Sequence, residues 1–356
     1  MNDDTVDVIM NKIVYNFKEK IGGLFMPNII THKIFAEEVL KKLPKKDIVD
    51  LILRHQQIYY IGCNGPDFLF FYHLKPWEML KKHDLNKIGS KLHKQQINAF
   101  YEAAVQQIHQ ERNVYLKESM LVYLLGHLCH WALDSTTHPY IFYWTGNGKG
   151  KSASYHHRME SALDAMMLYK YHATTIKEYP YYEMCSYNEE ILKAIARIYV
   201  PAVKNALQED IKVYDIRKAL DDWKDVQKML HDPRGIKRTI LTGMEKMMHK
   251  PWLISGNIIP NSLDTHYDIC NFTQKTWCHP CDDMQLSQDT FIHLFHKAIE
   301  VATQVLEKAY GCVEYQTDIS SLLNLLDNRA YDTGRNDGKE MKYFHIIYEE
   351  GVNEGF

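Results

Sequence analysis

The chain has 356 residues, of which 46% are hydrophobic and 24% charged, a balance that supports a packed core in one large domain or two ordinary ones. A net charge of -3 and a pI of about 6.7 argue against a nucleic-acid binder with a strongly basic face. No apolar run approaches the roughly 20 residues that span a bilayer; the longest, Met120 to Leu133, is broken by His127 and His130.

Residues 1–25 read as an appended segment ending at Gly22-Gly23, with Met26 as an alternative start. They lack a basic region followed by an apolar one, so no signal peptide is expected, and the location expected is cytoplasmic. Thr31 is placed to cap a helix carrying Ile34, Phe35, Val39, Leu40 and Leu43, stopped by Pro44. A second helix is expected over 47–58. A Gly/Pro break follows at Gly62-Cys-Asn-Gly-Pro-Asp67. Further helices are expected over 91–110, with His93 at the start, and over 121–138, ended by Pro139. Another runs over 156–171, after a polar loop at 145–154. Beyond a weakly marked boundary near 175–188, helices are expected over 189–208, 215–230, 234–248 and 287–310. No alternation long enough for a sheet is present, so the class is all-α.

Seven scattered cysteines fit a reducing compartment. Cys278-His-Pro-Cys281 has the spacing of a redox or zinc pair. It lacks a second such pair and any βαβ context, and reads as incidental.

The sharpest chemical signal is His130-Trp-Ala-Leu-Asp134-Ser-Thr-Thr-His138-Pro139. Three ligand-type side chains at i, i+4 and i+8 return to one face of a helix in apolar surroundings, where unpaired burial is costly. A divalent cation satisfies them; a hydrogen-bonded His–Asp network is the alternative. Pro139 is expected to push His138 out of helical geometry. His156 and Glu160 form a second i, i+4 pair. Asp67 follows Gly65-Pro66 and is either a presented carboxylate or a helix cap. His93 and His32 stand near expected helix starts. The donor set is nitrogen and oxygen with no thiolate, which suits a catalytic zinc cluster better than a closed structural site.

These residues, in this order, resemble the zinc-dependent phospholipase C family, specifically its shorter, non-secreted members. The matching pieces are Thr31-His32, Gly65-Pro-Asp67-Phe68, Leu92-His93, Cys129 to Pro139, and His156-x-x-x-Glu160. The resemblance covers roughly 26–170 and implies a multi-helix bundle with a helical C-terminal extension. The implied organisation is an extension over 1–25, a phospholipase C-like domain over 26–175 and a helical region over 176–356. It implies that Asp67, His93, His130 and Asp134 hold one zinc. His138, His156 and Glu160 would hold a second. His32 would hold a third, sharing Asp134. Two zincs are expected. The third stays open, because secreted members complete it with a free N-terminal residue, and here at least 25 residues precede Met26. His138 also follows Asp134 at a shorter interval than in those enzymes.

The implied activity is phosphodiester hydrolysis by a zinc-bound hydroxide attacking phosphorus, with Asp67 orienting or deprotonating the nucleophile. The expected substrate is a phospholipid or small phosphodiester, with peripheral membrane contact. Tyr59, Tyr60, Phe68, Phe70 and Phe71 flank Asp67 and line either the substrate side or the core. A single-strand nuclease of the same superfamily and a non-enzymatic metal-binding protein are the competing readings; the near-neutral charge does not favour nucleic acid.

Overall fold

The computed structural model describes residues 29–75, 78 and 84–350. The expected extension over 1–25 and the Met26 start lie outside the described residues.

The first helices are α1 (Ile29–Lys42), α2 (Lys46–Arg54) and α3 (Gln56–Gly62), and a 3-10 turn covers Asp67–Phe71. Then come α4 (Asp84–Lys94), α5 (Ile97–Gln110), α6 (Val114–Thr145), α7 (Lys151–His172), α8 (Glu189–Leu207), α9 (Val213–Leu230) and α10 (Ile236–Met247). Two strands, β1 (Trp277–His279) and β2 (Asp282–Ser287), precede α11 (Phe291–Glu314), α12 (Ser320–Leu326) and α13 (Ile347–Glu350). The fold is all-α, and among the described residues no helix is long and apolar enough to cross a membrane.

Helix α6 is the axis, buried along most of its length from Leu116 to Thr145. It starts where the Asn113 side chain accepts from Leu116 N at 2.9 Å, satisfying one of the orphan donors of a helix start. Helices α3 and α11 pack along it. Glycine makes the first crossing backbone to backbone. A Cβ on Gly62 would stand 2.5 Å from the Tyr123 carbonyl oxygen, and one on Gly126 would stand 2.4 Å from that of Tyr59.

Pro139 does not end this helix; it lies inside it, and His138 is helical. A proline takes one N–H from the ladder, here the one Ser135 O would accept. The turn before it is reinforced by hydroxyls: Thr136 donates to Ala132 O at 2.7 Å and Thr137 to Leu133 O at 2.9 Å. Gly334 closes over the freed Ser135 carbonyl, so tightly that a Cβ there would be 2.1 Å from the oxygen. Burial on all sides and these contacts outweigh the local breaker.

Other boundaries differ from expectation. The stretch 47–58 is divided at His55 into α2 and α3. His93 is in the last turn of α4 and not at a helix start. Thr31 is inside α1, not its cap; its hydroxyl donates to Asp164. The C-x-x-C segment forms an antiparallel hairpin, with Trp277 opposite Ser287 and His279 opposite Asp282. A three-residue strand is too short to show alternation, and β2 is mostly exposed, so the sequence carried no sheet signal. Tyr59, Phe68, Phe70 and Phe71 are core residues, and Tyr60 packs against the core half-buried.

Candidate metal centre

Five segments deliver the eight ligand-type side chains. His32 comes from the first turn of α1. That end is fixed by Asp164 of α7, whose carboxylate accepts from Ile30 N at 3.2 Å, Thr31 N at 2.8 Å and Thr31 Oγ1 at 2.6 Å. A carboxylate from a distant helix thus satisfies donors that the helix start leaves open. Burial pushes the Asp164 carboxyl up to about 8, against the pull of these donors.

Asp67 opens the 3-10 turn but caps nothing through its side chain. Its Oδ1 faces His93 Nε2 at 2.9 Å, while His93 Nδ1 lies 2.8 Å from the Gly89 carbonyl. The carbonyl fixes the proton on Nδ1, so Nε2 presents a lone pair to a carboxylate. That arrangement calls for a proton or a cation between them. The chain reaches Asp67 past Gly65, which has φ +47°; a Cβ there would sit 2.1 Å from His130 Cδ2.

Helix α6 supplies His130, Asp134 and His138, one turn apart on one face. Asp134 Oδ2 is 3.1 Å from His130 Nε2 and 3.7 Å from His138 Nδ1. Asp134 Oδ1 is 3.4 Å from His32 Nε2, and His130 Nε2 is also 3.5 Å from Asp67 Oδ1. Helix α7 supplies His156 and Glu160: Glu160 Oε1 lies 3.2 Å from His156 Nε2 and 3.5 Å from His138 Nε2. All eight are buried.

Their ligand atoms gather into three groups, each within 4.8 Å: Asp67, His93 and His130; His32, His130 and Asp134; and His138, His156 and Glu160. The family pattern joins Asp134 to the Asp67 group; here it clusters with His32 and His130, and His130 is common to two groups. Among the described residues no such group contains a cysteine. His157 belongs to none of these groups, and burial holds it down to about 3.

The electrostatics describe three carboxylates out of water. For Asp67, burial raises the carboxyl, but His130 and His93 outweigh it and hold it well below the usual range. For Glu160, burial is likewise outweighed by His156 and His138, giving about 2. For His138, burial lowers the imidazole, yet Asp134 and Glu160 push it up to about 10. His32 is lowered by burial to about 4, because the pull of Asp134 does not offset the desolvation.

These residues fit a metal. Both nitrogens of His32 and His130, both oxygens of Asp134 and Glu160, His138 Nε2 and His156 Nδ1 are buried without a hydrogen bond. Buried polar groups are nearly always partnered, and each orphan costs about 1–3 kcal/mol. Orphans this concentrated, with one nitrogen of each ring and the carboxylate oxygens able to donate to a cation, are what a multinuclear site leaves when read as protein alone. Imidazole and carboxylate without thiolate match zinc in its catalytic mode.

Two contributors lie outside the expected set. Tyr331, from the C-terminal region, donates its N–H to His93 O at 2.8 Å and accepts from His138 Nδ1 at 3.1 Å through its carbonyl. Its ring lies 4.9 Å from that of His93 and 5.5 Å from that of His130, centroid to centroid. Asp164 continues the row His156, Glu160 by another four residues, a spacing that marks it in retrospect.

Residues 31–209, half of the chain, match the model of the family described as zinc dependent phospholipase C. No curated protein and no solved structure matches the chain. The match runs from α1 to just past α8 and contains all eight residues of the cluster. With the helical fold and the ordered, buried nitrogen and oxygen donors, this places the chain in the zinc-dependent phospholipase C family.

Proposed function

We propose that the protein is a zinc-dependent phosphodiesterase that cleaves a phospholipid or a small phosphodiester. The observation that carries this reading is the row His130, Asp134, His138 on α6, whose inward atoms are buried and mostly unpartnered between two further donor groups. In this reading Asp67, His93 and His130 hold one zinc, and His138, His156 and Glu160 another. His32 and Asp134 contribute a third position, with Asp134 as the bridge. Zinc bound there would acidify a water towards neutrality and offset charge on the phosphate oxygens.

The chain's own residues orient and protect. Asp67 Oδ1 is engaged by His93, and we assign Oδ2 to the proton of the attacking water. Ionised at neutral pH, Asp67 can accept a hydrogen bond from that water and orient it as its oxygen bonds to phosphorus, the proton passing to the departing alkoxide. Gly89 and Tyr331 carbonyls fix the His93 and His138 tautomers, so that each ring turns Nε2 inwards.

The test compares diesters, phosphomonoesters and carboxylic esters at equal concentration, using zinc-loaded protein, chelated protein and Glu160→Ala. Diester turnover that chelation and Glu160→Ala both abolish supports the proposal. Carboxylic-ester activity surviving both removes this chemistry, and a zinc-loaded protein that turns over no diester favours a non-enzymatic metal protein.

A further inference from the structure

Helix α10, Ile236–Met247, lies outside the family match and shows an uneven surface. Ile236, Ile240, Met244 and Met247 are all exposed, Met247 to 84%. Their spacings of four, four and three put them on one stripe of the helix. Lys237 borders the stripe on one side and Lys246 on the other. The helix carries a single carboxylate, Glu245, which is buried and turned inwards, accepting from Ile254 N at 2.6 Å and from Ser255 N at 2.9 Å. The exposed face is therefore apolar at its centre, basic at its edges and free of acid.

On another flank of the same helix, which the stripe residues do not line, is a cavity of about 580 Å³ bordered by Arg158, Arg234, Arg238, Lys246, Thr239 and Trp252. Arg158 is buried and stacks 4.8 Å from the Trp252 ring. It pairs with Asp264, yet its Nε has no hydrogen-bond partner. Burial, and then Arg158 itself, hold the Arg238 guanidinium below its ordinary value, so like charges share the cavity. Among the described residues no carboxylate lines it, although Asp264 pairs with Arg158 and, with Asp232, offsets part of the charge on Arg238. In a chain of net charge -3 this is a local positive site.

We propose that α10 lies in the plane of an anionic phospholipid surface, its Ile/Met stripe entering the headgroup boundary and the arginine cavity receiving a lipid phosphate. The composition is that of an interfacial helix: an apolar stripe, lysines that reach back to headgroups, and no exposed acid. Guanidinium groups suit phosphate oxygens, and each basic group near an anionic bilayer adds favourable energy that salt screens. A second copy of this chain would bring the same positive charge to the face, and charge complementarity disfavours it. The surface carries this inference independently of zinc and of catalysis.

The test is co-sedimentation of the full chain, with and without chelator, on phosphatidylglycerol-rich and on pure phosphatidylcholine vesicles. Binding to the first should exceed binding to the second about tenfold, weaken with salt and be indifferent to chelation. Ile240→Glu with Met247→Glu, both at exposed positions, should lower it about tenfold with an unchanged circular dichroism spectrum. Arg234→Glu should lower the phosphatidylglycerol preference while leaving the residual phosphatidylcholine binding. Equal binding to the two vesicle types, or full binding by the double variant, would overturn the proposal. A wild-type dimer that the double variant converts to monomer, with no vesicle binding by either, would assign the face to a second copy. Loss of diesterase activity with vesicle binding intact would count against the catalytic reading alone.

Discussion

Asp134 Oδ1 stands 3.4 Å from His32 Nε2, while its Oδ2 stands 3.1 Å from His130 Nε2. One carboxylate therefore faces two donor groups, and the third begins at His138, 3.7 Å from Oδ2. Removing Asp134 takes away the carboxylate that faces histidines of all three groups, whereas removing His32 affects one group. Asp134→Ala should lose more zinc and more activity than His32→Ala. Elemental analysis of protein purified without chelator reads the difference; the reverse ranking would make the His32 position the central one.

Gly65 holds a left-handed conformation with its Cα against the His130 imidazole. Alanine there meets two penalties. The left-handed backbone costs about 1–2 kcal/mol for a residue with a Cβ, and the new methyl displaces His130. Gly65→Ala should lower the melting temperature and also weaken zinc binding, since His130 belongs to two of the three groups. A melting shift with unchanged zinc affinity would show that His130 can move without consequence.

His279 gives a pH prediction away from the metal groups. Its Nε2 donates to Thr333 O at 3.0 Å and its Nδ1 accepts from Cys281 N at 3.1 Å, a pairing that only the neutral ring can make. Burial, followed by Arg335, lowers its pKa from 6.5. The folded value lies below the unfolded one, so the contribution is complete above pH 6.5. It is lost as the pH falls, because the unfolded chain takes the proton first. His279→Gln can keep both hydrogen bonds without titrating. Across about pH 7 to 5 its melting temperature should fall less steeply than that of the wild type. Parallel curves would mean that the hairpin is uncoupled from global stability.

Five of the eight candidate residues, His130, Asp134, His138, His156 and Glu160, were legible because helical spacing turns sequence into geometry; His32, Asp67 and His93 were marked by the family resemblance. His130, Asp134 and His138 share a face whenever their segment is helical, and α6 is helical throughout. Pro139 misled on His138, since a local breaker was weighed without the burial and hydroxyl bonds that surround it. Tyr331 was invisible for another reason. It acts largely through its backbone N–H and carbonyl, which every residue except proline has, so its identity announces nothing. Asp164 serves backbone donors more than 130 positions away, and no local pattern predicts such a partner. The hairpin at 277–287 escaped because β1 is only three residues long and β2 is mostly exposed; it is tied down by the buried Trp277 against Tyr140 and by His279 and Arg335.

The bond between His138 Nδ1 and the Tyr331 carbonyl spans 193 positions. On the ribosome, all eight metal-type side chains therefore emerge well before the residue that clasps two of them. Closing so long a loop is entropically slow, and until it closes His93 and His138 lack that restraint. Nascent chains arrested before residue 320 should hold zinc with faster exchange than chains arrested after 345, and should be cut more readily by protease. Maturation of the centre is then gated by the arrival of a distant strap, and metal captured early can stabilise the waiting chain.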